Sequence, residues 1–115
     1  MRVMAASFAP ATLLGHAVLR CAGELDLISR LELTSRLLDL AETPSPRVVV
    51  DLGQVTFMDC GSVTILEEFA RRLAPERTTY AVAPPGKVQR LLSAVDLDPV
   101  VRVRPWLDDA LLQAG

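Results

Sequence analysis

The stretch VVVDL, Val48 to Leu52, is a β-branched run that does not alternate apolar with polar side chains. A strand wetted on one face repeats with period two, so this run predicts a central strand covered on both faces. Such a strand needs helices above and below it, and helical patterns flank it on both sides. In SRLELTSRLLDLAE, Leu31, Leu37, Leu38 and Ala41 recur at helical spacing, with Ser29 as the N-cap and Pro44 and Pro46 as the stop. After the strand, Val63, Leu66, Phe69, Ala70 and Leu73 form a second stripe that Pro75 ends. The patterns predict helices over 29–42, 61–74, 86–95 and 106–113.

The remaining apolar runs read as strands. Residues 2–8 and 16–22 predict an antiparallel pair, with Pro10 and Gly15 in the turn between them. TTYAVA, Thr78 to Ala83, is another strand. PVVRVRP alternates valine with arginine, which suits a sheet edge. The order strand, strand, helix, strand, helix, strand, helix, strand, helix implies an α/β fold: a mixed, mostly parallel sheet of about five strands, its first pair antiparallel. Val48, Val50, Leu52, Val55, Phe57, Leu66, Phe69 and Leu92 are the expected core. At 115 residues the chain matches one domain, residues 1–115.

Charge and composition exclude several functions. The net charge is −2, and the twelve basic residues include a single lysine, Lys87, in no basic block. Direct nucleic-acid binding through phosphate contacts needs clustered cations, and none is present. The apolar stretch near the N-terminus is broken by Pro10, Gly15 and His16. It falls short of the roughly 20 residues that a membrane span requires. The expectation is a cytoplasmic protein that engages no membrane. Cys21 and Cys60 lie far apart in sequence, which predicts two reduced, buried thiols.

Catalytic signatures are missing too. A nucleophile elbow places Ser within G-x-S-x-G, with an acid and a histidine following. Here the spacing fails, and the single histidine, His16, lies upstream. One histidine and two scattered cysteines form no metal set, and no phosphate-binding glycine loop occurs. PPGK, Pro84 to Lys87, reads as a turn before a helix. The expectation is a protein that is not an enzyme and holds no cofactor. What stands out is FMDCGSVTILEEFARRL, Phe57 to Leu73, where a strand stops at Asp59 and small residues open a helix. Asp59 suits an N-cap, and a phosphorylated hydroxyl at such a place would be stabilised by the helix terminus.

Taken together, GELDL (Gly23 to Leu27), VVVDL, FMD with its small residues, and PPGKVQRLLSAVDLD resemble a STAS domain. This is the family of bacterial anti-sigma factor antagonists and sulfate-transporter tails. The resemblance runs from about Val3 to Leu111, and a chain of this length is similar to the stand-alone antagonist type. It implies a binding module for an anti-sigma factor that is also a serine kinase, with release of a sigma factor and control of transcription by partner switching. In the family the kinase phosphorylates a D-S-[ST]-G-[LV] motif, and binding is then lost. Aligned without gaps, Asp59 falls on the motif's Asp and Cys60 on its first Ser. Gly61 falls on the acceptor, Ser62 on the Gly and Val63 on the apolar position. Asp26 matches an acidic residue near the partner surface.

The resemblance therefore implies a partner site of Asp26, Asp59, Cys60, Gly61 and Ser62 whose acceptor position has no hydroxyl. Either Ser62 has become the phosphorylation site or the switch is lost. One residue of displacement turns a side chain by about 100° around the helix, which favours loss. Alternatives are a scaffold in a signalling complex, a module that senses a nucleotide or other small ligand, a redox role for Cys60, and a homodimer.

Overall fold

The computed structural model describes residues 5–97 and 100–112. Its elements are β1 (Ser7–Leu13), β2 (His16–Leu25), α1 (Arg30–Glu42), β3 (Arg47–Met58), α2 (Cys60–Leu73), β4 (Thr78–Val82), α3 (Lys87–Ala94), β5 (Val101–Arg104) and α4 (Leu107–Leu112). The strands form one five-stranded sheet in sequence order. β1 runs antiparallel to β2, and every other neighbour pair is parallel. Each described helix lies within one residue of its expected start; the end of α4 expected at residue 113 lies outside the described residues.

Helices α1, α2 and α3 cover one face. Leu33, Leu37 and Leu40 of α1, Val63, Leu66, Phe69 and Ala70 of α2, and Val88 and Leu92 of α3 pack there on Val48, Val50 and Leu52 of β3. The other face is closed by Ala110 and Leu111 of α4 against Val18, Val49 and Tyr80. Val48, Val49 and Val50 are each no more than 1% exposed, as a strand covered twice must be. Seven of the eight expected core residues are buried.

Phe57 is the exception, at 50% exposure. Its strand does not keep period two to the end: the pairing with β2 slips between Arg20 and Ala22 and again between Gly23 and Glu24. Each bulge adds a residue and inverts which face the following side chains meet. Val55 and Met58 thereby point inward, and Phe57 points out.

Three further expectations are corrected. β1 begins and ends later than residues 2–8, and Pro10 sits inside it opposite Leu19. An edge strand tolerates proline because one row of its N–H groups has no partner strand. Residues 2–4 lie outside the described residues. The turn is Leu14–Gly15, both at positive φ (52° and 79°), the conformation that two-residue hairpins require. In α1, Leu31 and Leu38 face solvent, and the buried stripe is Leu33, Leu37 and Leu40. Cys21 is buried but Cys60 is exposed. Burial, with a smaller contribution from the Asp51 charge, pushes the Cys21 thiol up to about 12, so it stays protonated and inert.

Candidate partner-binding site

Parallel strands all point the same way, so the ends of β2 and β3 and the starts of α1 and α2 share one edge of the domain. The carbonyl of Leu25, the last residue of β2, holds that edge together. It accepts the Asp59 N–H at 3.0 Å and the Ser62 hydroxyl at 3.1 Å. Ser62 is 0% exposed. Its side chain is a strut between the end of β2 and the first turn of α2, and it is not presented at the surface.

Asp59 caps α2 with extended backbone (φ −92°, ψ 169°), as the sequence predicts. Its Oδ1 accepts the Ser62 N–H at 2.8 Å, and its Oδ2 accepts from Arg30 Nη2 at 2.9 Å. Burial alone would raise the Asp59 carboxyl. The hydrogen bonds from Ser62 and then the Arg30 guanidinium outweigh it and hold the carboxyl below its ordinary value. A cap of this kind contributes about 1 kcal/mol.

Asp26 builds the neighbouring loop. Its Oδ1 accepts the N–H groups of Ile28 (3.1 Å) and Ser29 (3.3 Å). Ser29 does not cap α1 with its side chain, contrary to expectation. Its buried hydroxyl accepts the Asp26 N–H at 3.0 Å, which closes the turn on itself. The loop drives Leu27 and Ile28 outward to 72% and 90% exposure. At the edge, Asp26 and Asp59 are partly exposed, Cys60 is exposed and Gly61 partly so, with Ser62 beneath them.

Arg30 is the site residue that sequence reasoning missed. It is the first residue of α1, where the helix dipole disfavours a cation. That mismatch is the one signal in the sequence that Arg30 has a partner elsewhere. The guanidinium lies over Gly61: a Cβ built there would come within 2.8 Å of Nε and closer still to Cζ and Nη2. Gly61 is an ordinary helical residue without positive φ, so its lack of a side chain is what admits Arg30.

No group of three or more His, Cys, Asp or Glu able to hold a metal occurs among the described residues. No described helix is long and apolar enough to cross a membrane. The fold and this edge define a small mixed α/β domain with a polar strand-to-helix junction at one edge of its sheet. The STAS domain model matches residues 9–110, and the chain belongs to that family. An anti-sigma factor antagonist from Mycobacterium paratuberculosis superposes with a TM-score of 0.87 at 25% identity, covering 93% of this chain and 92% of that one. SpoIIAA in its unphosphorylated form gives 0.68 at 19% identity, over 85% and 88%. The phosphorylated Bacillus cell fate determinant SpoIIAA gives 0.63 at 18%, over 85% and 91%. No curated protein matches in sequence. The chain is an anti-sigma factor antagonist-like STAS domain.

Proposed function

We propose that this protein is an antagonist that binds an anti-sigma factor with serine kinase activity, frees its sigma factor, and is not switched off by phosphorylation at the α2 junction. The observation that carries this reading is the fate of the two candidate acceptors. Gly61, at the family's acceptor position, has no hydroxyl and is covered by Arg30. Ser62 has a hydroxyl, but it is fully buried and donates to Leu25. A kinase needs an exposed, alignable hydroxyl. Thr64, one helical turn on, is exposed, but its hydroxyl is turned back onto the Cys60 carbonyl at 3.1 Å.

The partner surface in this reading is Asp26, Asp59, Cys60 and Gly61 with the exposed side of α2, and Ser62 supports it from below. Affinity capture from the source organism's extract tests it. The wild type should retain an anti-sigma factor with an ATP site and take up no phosphate on residues 59–64. Asp59→Lys should lose that partner, whereas Glu42→Lys, at the far end of α1, should keep it. Capture unaffected by Asp59→Lys, or stoichiometric phosphate on Ser62, would sink the reading.

A further inference from the structure

We propose that Arg30 is a nucleotide-sensing residue: it receives the γ-phosphate of the ATP bound in the partner, so that the chain prefers the ATP-loaded partner over the ADP-loaded one. This rests on the reading above that the partner is an anti-sigma kinase docked over the α2 junction. A kinase that docks there brings its γ-phosphate within about 3–3.5 Å of the acceptor position, the distance in-line transfer demands. In this chain a guanidinium occupies that position. The space into which a side chain at residue 61 would grow is filled by Arg30 Nε, Cζ and Nη2.

The guanidinium is held but not used up. Nη2 donates to Asp59 Oδ2 at 2.9 Å, Nε is buried without a hydrogen-bond partner among the described residues, and 35% of the side chain is exposed. Arginine has five N–H donors in a planar fork that matches phosphate oxygens, and it keeps its proton at every physiological pH. Asp59 engages Nη2, and the side chain stays partly exposed. Because the ion pair is formally neutral, the preference comes from directed hydrogen bonds and not from net charge. A guanidinium is no nucleophile. No bond is made or broken, ATP is not consumed, and the complex persists where a serine at residue 61 would end it.

The test is a set of dissociation constants. The chain is titrated against the captured kinase in three states: nucleotide-free, with ADP, and with the non-hydrolysable β,γ-imido analogue of ATP. Wild type should bind the analogue-loaded state at least about tenfold tighter than the ADP state, the scale of one charge-assisted hydrogen bond. Arg30→Ala should bring that ratio close to one, and Arg30→Lys, which keeps the charge but not the fork, should fall between. An undiminished ratio in Arg30→Ala overturns the proposal. So does an Arg30 effect of equal size in all three states, which would assign the guanidinium to a carboxylate of the partner. A captured partner without an ATP site, or no binding in any state, overturns the kinase reading itself and this inference with it.

Discussion

Two strand-to-helix junctions lie on the same edge of the sheet and are built differently. From β3 to α2 the chain turns on side-chain chemistry: Asp59 caps the helix, pairs with Arg30, and shares the Leu25 carbonyl with Ser62. From β4 to α3 it turns on backbone. Pro84 and Pro85 limit the conformations, Gly86 caps without a side chain, and Gln89 reaches back to the Ala83 carbonyl at 3.0 Å. The first junction carries its charges in fixed positions, so single substitutions there should alter the surface it presents. The second leaves Lys87 exposed at the helix start and is a turn before a helix.

The largest contrast comes from charging the strut. Ser62→Glu would mimic a phosphate if residue 62 were a working switch. Instead it places a carboxylate in a fully buried site and removes a donor from Leu25. An uncompensated buried charge costs about 3–5 kcal/mol, enough to unfold many domains of this size. Urea denaturation should show that loss, whereas Lys87→Glu should stay within about 0.5 kcal/mol of wild type, as surface changes do. A fully stable Ser62→Glu would mean that the first turn of α2 opens readily and that the two junctions are less different than they look.

Asp59→Asn gives the next effect. Asparagine can still accept the Ser62 N–H but cannot pair ionically with Arg30. The Asp59 carboxyl titrates below its ordinary value of 3.8 in the folded chain. Its electrostatic contribution is therefore present above that value and is lost as pH falls through the lower folded one. At neutral pH the variant should be less stable than wild type by on the order of 1 kcal/mol, as expected for a partly exposed pair. As pH falls through the lowered folded value, the two should converge. A gap independent of pH would mean that the ion pair contributes nothing and that Asp59 acts only as a cap.

The contrast also shows what a linear pattern can carry. The run Val48 to Leu52 implied burial on both faces, and the stripe from Val63 to Leu73 set the face of α2; both depend on short-range periodicity. Asp59 was legible as a cap for the same reason, since its partner is three residues away. Phe57 was not, because the second slip in the pairing with β2 falls between Val55 and Phe57 and breaks the period-two step from one to the other. Arg30 and Asp59 are 29 residues apart, and Ser62 and Leu25 are 37 apart. Only the parallel pairing of β2 with β3 brings them together. The resemblance pointed to this edge, but it could not say that Ser62 faces inward or that Arg30 covers Gly61.

The smallest stability effect, and the most informative, is expected from Gly61→Ser. Residue 61 is helical and has no positive φ, so serine meets no backbone strain there. Its Cβ would collide with the end of Arg30, a flexible side chain that can swing into solvent. Serine is a better helix former than glycine by about 0.5 kcal/mol. Displacing a partly exposed ion pair costs up to about 1 kcal/mol. The two nearly cancel, so the denaturation midpoint should barely move, while the Asp59 carboxyl should rise toward its ordinary value as Arg30 leaves. The new hydroxyl would stand on the exposed first turn, where the partner kinase and ATP should now phosphorylate it. A loss above about 2 kcal/mol would show that Arg30 cannot leave Gly61, because the core beneath depends on it. A stable, folded Gly61→Ser that the kinase ignores would move the partner's catalytic centre away from this junction.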